Sequence, residues 1–134
     1  MMIKVFSIFV LLVMVVSCAT TPRAIPEKYN LDNELEPVDK IFTIREQRWE
    51  EVDDQSIILR ADRRTYYLFV LRRPMDKRYS NLRIRLSNTS YVTPGVGRIH
   101  VRDNTGTQYY VIEKIYKLEG KEQKEEIKER LRKD

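Results

Sequence analysis

A chain of 134 residues, 42% of them hydrophobic and 34% charged, has room for one small domain once a targeting segment is set aside. The 25 Lys and Arg against 20 Asp and Glu give a formal net charge of +5, so an acidic or neutral surface is excluded as a whole-chain description. With a single histidine, His100, and a single cysteine, Cys18, the composition excludes a histidine metal cluster, a dithiol redox centre and a disulfide within the chain.

Residues 1–17 have the layout of an export signal: one cation at Lys4, a run from Val5 to Val16 that is apolar except for Ser7 and carries no charge, and the small residue Ser17. A bilayer-spanning helix needs roughly 20 apolar residues, so this shorter run suits a signal and not a permanent span. Val15, Val16, Ser17 and Cys18 resemble a bacterial lipobox. A thiolate is the nucleophile that forms the thioether to diacylglycerol, and two or three acyl chains at about 0.8 kcal/mol per buried methylene hold firmly where one chain is marginal. The expected product is a lipoprotein anchored through acylated Cys18. Ala19 follows, where many enteric lipoproteins kept in the inner membrane have aspartate, so the expected address is the outer membrane, facing the periplasm.

Residues 18–40 then read as the lipidated cysteine and a flexible tether. Pro22, Pro26 and Pro37, several acids and little apolar periodicity are the composition of an extended linker, with a short helix open around Leu31 to Leu35.

From Ile41 the texture changes to short runs rich in Ile, Val, Tyr, Phe and Thr separated by turn residues, and residues 41–118 read as an antiparallel β domain. The runs are IFTI at 41–44, RWEEV at 48–52, SIILRA at 56–61, TYYLFVL at 65–71, LRIRLS at 82–87, GRIHVRD at 97–103 and QYYVIEKIYKL at 108–118. This spacing predicts a small meander closed into a barrel or sandwich of about six to seven strands. Alternation in LRIRLS puts Ile84 and Leu86 on one face and Arg83 and Arg85 on the other; GRIHVRD likewise separates Ile99 and Val101 from Arg98, His100 and Arg102. TYYLFVL is apolar on both faces and belongs in a central strand. In the last run, Ile115 stays in phase with Tyr110 and Ile112 only if a bulge falls near Glu113 and Lys114.

Residues 119–134 contain good helix formers, with Ile127 and Leu131 as the only large apolar side chains. They read as a solvated, fraying charged helix with a narrow stripe for docking.

Charge is distributed unevenly. Residues 18–54 hold 5 Lys and Arg against 10 Asp and Glu, a net of −5, whereas residues 55–118 hold 13 against 4, a net of +9. Arg83, Arg85, Arg98 and Arg102 form a cationic face if their strands are neighbours, joined from a loop by Arg72, Arg73, Lys77 and Arg78. Two readings stand side by side: a solvated strand face balanced by the acidic first hairpin, and a face for an anionic envelope component such as a lipid headgroup, a lipopolysaccharide phosphate, an acidic glycan or an acidic protein surface. Tyr66, Tyr67, Tyr109 and Tyr110 near arginines would suit base stacking, but the expected compartment argues against nucleic acid.

Catalytic chemistry finds little to use. His100 stands on a polar strand face without a nucleophile-elbow pattern, TPGVGRI lacks the lysine and following helix of a phosphate loop, and neither metal nor cofactor is expected. Asp53 and Asp54 are adjacent carboxylates, but VDDQS between two strand runs reads first as a turn whose aspartates bond nearby amides. A binding or structural module, not an enzyme, is the expectation. The second reading is an accessory subunit of an envelope complex that makes contact through an apolar patch or the helical stripe of Ile127 and Leu131.

The run RWEEVDDQSIILRADRRTYYLFVLRRPM, followed by GRIHVRD and YVIEKI, resembles a domain of unknown function found in small proteobacterial lipoproteins. The pattern, over roughly residues 41–118, is a Trp (Trp49), an acidic turn (Asp53, Asp54), an aliphatic strand (Ile57 to Leu59) and a Tyr-Leu strand (Tyr67, Leu68). The resemblance implies the same fold and address and carries no activity. It also implies a cysteine pair that this chain lacks: Met75 and Tyr110 occupy those positions, so a sulfur and aromatic contact is expected instead. Burial of Trp49, Phe69 and the tyrosines would then offset a bridge typically contributing about 2 to 5 kcal/mol.

Overall fold

The computed structural model describes residues 25–42, 48–76, 83–87, 91–102 and 106–133, and within them nine strands and one helix form. In chain order these are β1 (Glu36–Pro37), β2 (Ile41–Phe42), β3 (Arg48–Glu51), β4 (Ser56–Arg60), β5 (Thr65–Leu71), β6 (Arg83–Leu86), β7 (Tyr91–Val92), β8 (Arg98–Arg102), β9 (Thr107–Glu119) and the helix α1 (Gly120–Lys133). A 3-10 turn at Glu27–Tyr29 precedes them. The stretch read as an export signal (residues 1–17), Cys18, residues 43 and 44 of IFTI, Lys77 and Arg78 lie outside the described residues.

Every pairing is antiparallel, and the order β3-β4-β5-β9-β8-β6 makes a nearly closed, barrel-like sheet. The long β9 organises it. Its C-terminal part pairs with β5, while the opposite edge takes β8 over residues 107–111 and β1 at Tyr116 and Lys117. Register passes from Val70 opposite Lys114 to Leu71 opposite Ile112, which leaves Glu113 as the extra residue. That is the bulge the phase break predicted, and it keeps Tyr110, Ile112 and Ile115 in one apolar cluster.

Two cores result. The inner one gathers Ile57, Leu59, Phe69, Leu71, Ile99, Val101 and Ile112 with Met75 and Tyr110, and Trp49 meets Phe69 edge-on at 5.6 Å. Met75 and Tyr110 thus share one cluster, and the Asp76 amide next to Met75 donates to Tyr110 Oη at 3.1 Å. The outer core lies on the other face of β4, β5 and β9, where Ile58, Tyr66, Leu68, Val70, Tyr116 and Leu118 are covered by Tyr29, Leu31, Leu35, Ile127 and Leu131. β5 contributes to both cores, as expected of a central strand.

This outer core corrects two expectations. Residues 25–40 are not an extended tether: Tyr29, Leu31 and Leu35 are buried, and β1 joins the sheet. Nor is α1 a solvated tail, since Ile127 and Leu131 are only 3% and 1% exposed. The physical reason is the same for both. The outer face of β5 and the end of β9 is apolar, and burying a large side chain against it stabilises by about 1.5–3 kcal/mol. Three apolar residues from one segment and two from the other are enough to dock. Gly120, with φ of +79°, permits the direct turn from β9 into α1.

The strand count exceeds expectation through β1 and β7, two-residue strands that carry no periodic signal; β7 pairs with β2 as a separate small sheet.

A candidate anion-binding face

The outer core stops partway across the sheet. Beyond it, on the same face, β6, β8 and the start of β9 carry polar side chains. Cross-strand pairing sets Arg83 opposite Arg102 and Arg85 opposite His100, while Ile84 and Leu86 meet Val101 and Ile99 on the inner side. Arg98 continues the row two residues from His100, and the adjoining β9 presents Thr107 opposite Arg102 and Tyr109 opposite His100. The four arginines singled out by alternation therefore stand together on one exposed face.

Arg83, Arg85, His100, Arg102 and Thr107 line a shallow depression of about 210 Å³. Arg98 lies at its border and lines a neighbouring depression instead. Among the described residues, none of the four arginines forms an ion pair. Like charges directly opposite on adjacent strands destabilise a sheet by an amount comparable to the roughly 0.2–1 kcal/mol that favourable pairs contribute. A bound anion would turn that repulsion into attraction, because guanidinium forks match carboxylate and phosphate oxygens.

The loop arginines do other work. Arg72 pairs with Glu113 at 2.7 Å and donates to the Gly95 carbonyl, and Arg73 donates to the Tyr109 carbonyl while its guanidinium sits 4.2 Å from the Tyr110 ring centre. Of the four tyrosines considered for stacking, Tyr66 and Tyr110 are buried and Tyr67 packs against the inner core. Tyr109 is exposed, and its ring meets His100 edge-on at 4.4 Å beside the arginines.

Asp53 and Asp54 take structural roles. Asp53 Oδ1 accepts from the Gln55 amide at 2.9 Å and from Ser56 Oγ at 2.7 Å; Oδ2 accepts from Tyr29 Oη at 2.7 Å and Lys28 Nζ at 3.0 Å. Burial works to raise its pKa, but the hydrogen bonds from Tyr29, Ser56, Gln55 and Lys28 outweigh that and hold the carboxyl below its ordinary value. Burial and then the Asp53 hydrogen bond push the Tyr29 phenol upward. The Asp54 carbonyl accepts from the Met75 amide. The turn reading of VDDQS holds, but the partners from residues 28 and 29 were missed because that stretch read as tether.

A second tyrosine and aspartate pair fixes the same segment. Tyr116 Oη donates to Asp32 Oδ1 at 2.7 Å and accepts from the Leu31 amide at 3.1 Å, and Lys114 Nζ lies 3.2 Å from Asp32 Oδ2. The Tyr116 and Lys114 hydrogen bonds hold the Asp32 carboxyl below its ordinary value. Lys28 also donates to the Leu131 carbonyl and Arg130 pairs with Glu34, so the N-terminal segment and α1 form one cover. Among the described residues, no three His, Cys, Asp or Glu side chains group as a metal site would require.

No curated protein and no solved structure matches the chain. A family model does, over the full length of residues 1–134, and the chain belongs to the family of unknown function DUF6491.

Proposed function

We propose that the protein is a bacterial envelope lipoprotein, anchored through acylated Cys18 and oriented toward the periplasm at the outer membrane, whose β domain binds an anionic envelope component without catalysing a reaction. The observation that carries the binding part is the exposed pairing of Arg83 with Arg102, flanked by Arg85 and Arg98, with no carboxylate partner among the described residues. The anchoring part rests on the apolar run that precedes Val15, Val16, Ser17 and Cys18.

Asp53 supports a non-catalytic reading. A carboxylate offers about four acceptor positions, and Tyr29, Lys28, Gln55 and Ser56 use them all. The helical stripe proposed for an accessory subunit is already consumed, since Ile127 and Leu131 cover the outer core. This favours the arginine face over the tail as the contact surface.

Two experiments test the reading. Retention of the detergent-solubilised full chain on immobilised polyphosphate should fall steeply with salt, because exposed charges are screened over about 10 Å at 0.1 M. A variant with Arg83, Arg85, Arg98 and Arg102 all changed to Gln should pass through unretained while keeping the wild-type circular dichroism. Equal retention of variant and wild type would contradict the site. The intact mass of protein from cell membranes should correspond to loss of residues 1–17 and gain of acyl chains, with the acyl mass absent in Cys18→Ser; an uncut, unmodified chain would contradict the anchor.

A further inference from the structure

Arg98 belongs to two surfaces. It ends the arginine row on the outer face, and it also lines a depression of about 400 Å³ with Tyr91, Thr93, Val96 and Gly97 among its other walls. Three of the most exposed large hydrophobic side chains stand around this second surface: Phe42 at 67%, Tyr91 at 48% and Val96 at 76%. Phe42 and Tyr91 are cross-strand partners in the β2 and β7 pair, and Lys40 Nζ stands 5.2 Å and 4.8 Å from their ring centres. Val96 is carried out on the tight turn that Gly95 makes possible with φ of +85°.

Exposed apolar side chains scattered singly need no explanation, but an aromatic pair sharing one cation, beside an apolar turn tip and an arginine, is a patch with two chemistries. Its apolar part gains by leaving water. Its cations are costly to bury unless they remain hydrated or meet anions at the same depth. A bilayer interface supplies both: acyl boundary for the rings and Val96, and phosphates for the long cationic side chains reaching to headgroup level. Charge complementarity selects among bilayers, since residues 55–118 carry a net +9 and the arginine row runs directly into the patch through Arg98.

We propose that Phe42, Tyr91 and Val96, with Lys40 and Arg98, dock on a membrane surface bearing anionic phospholipids, so that the anion met by the arginine row is a lipid phosphate. This deepens the anion-binding reading and rests on it.

The test measures depth, because the full chain's N-terminal apolar segment associates with any bilayer. Full-length Phe42→Trp is reconstituted in vesicles of brominated phosphatidylcholine, with or without phosphatidylglycerol, and the wild-type signal of Trp49 is subtracted; Val96→Trp serves as a second reporter. The expected result is at least about twofold quenching of either added tryptophan in phosphatidylglycerol vesicles and little in phosphatidylcholine alone. Combining the reporter with Lys40→Gln and Arg98→Gln should weaken the contact about fivefold per cation removed. Equal quenching in both vesicle types, or none in either, overturns the proposal. If quenching is absent while polyphosphate retention persists, lipid docking fails and the arginine face stands; if both are absent, both fail.

Discussion

Tyr29 Oη donates a 2.7 Å hydrogen bond to Asp53 Oδ2, joining the segment before the β domain to the turn between β3 and β4. The same oxygen accepts from Lys28, whose ammonium also reaches the Leu131 carbonyl at the end of α1. One carboxylate thus ties together the N-terminal segment, the sheet and, through Lys28, the C-terminal helix.

Asp53→Asn should destabilise the domain by about 2–3 kcal/mol at neutral pH, because a hydrogen bond to a charged group contributes about 1.5–3 kcal/mol. The folded pKa of Asp53 lies below its ordinary value. Its stabilisation is therefore complete above the unfolded value of about 3.9 and is lost as pH falls through the folded one. Urea unfolding of wild type and Asp53→Asn should give curves that converge in acid. Tyr29→Phe should couple to Asp53→Asn with an interaction energy of about 0.5–3 kcal/mol, whereas independent segments would give simple additivity.

Leu131→Ala should cost about 2–5 kcal/mol, the range for emptying a buried leucine site. Leu131 is 1% exposed and belongs to the outer cluster, which also holds Tyr29, Val52 and Tyr66. A solvated tail helix would lose only a few tenths, so chemical denaturation separates the two descriptions. Amide exchange should also quicken in residues 25–37, because α1 and that segment cover the same face.

Arg102→Gln is expected to act oppositely on stability and on binding. Removing one side of the Arg83 and Arg102 pair relieves like-charge repulsion and should stabilise the domain by a few tenths up to about 1 kcal/mol. It should also weaken polyphosphate retention. Thermal unfolding with and without polyphosphate reads both effects: the variant should melt higher alone and gain less from the polyanion.

Gly97→Ala should destabilise by about 1–3 kcal/mol through overpacking. A methyl group there would come within 2.9 Å of the Thr93 carbonyl oxygen and 3.0 Å of Val92 Cγ1, and the Gly97 amide is itself held to that carbonyl at 2.7 Å. Gly95→Ala meets no such crowding, and its cost comes from a left-handed backbone conformation, roughly 1–2 kcal/mol. Differential scanning calorimetry of the two variants should rank them accordingly.

The parts of the fold that were legible in sequence are those where periodicity repeats. TYYLFVL shows apolar residues on both faces and is the central β5; the phase break at Glu113 and Lys114 is the bulge in β9. Alternation in RIRL and RIHVR places the four arginines on one face, and only their adjacency needed the structure. The cover was illegible for a different reason. Pro26 precedes the 3-10 turn and Pro37 sits in an edge strand, positions where a missing amide costs little, yet in sequence they look like linker residues. Tyr29, Leu31 and Leu35 step by two and then by four residues, so neither strand nor helix spacing is sustained, and Ile127 with Leu131 is too short a stripe to announce burial. Both segments gain their order from the apolar outer face of β4, β5 and β9, which is a tertiary property. Tyr91 was hidden similarly, since the two-residue β7 leaves no pattern, whereas Phe42 lies in the predicted IFTI run and only its exposure beside Tyr91 needed the structure.

Amide chemical-shift mapping during a polyphosphate titration tests the central claim most directly. Perturbations concentrated at residues 83–86, 98–102 and 107–109, saturating together and reversed by salt, are the predicted result. Perturbations centred on α1 or the 25–37 segment, or none at millimolar polyphosphate, would contradict an anion-binding role for the arginine face.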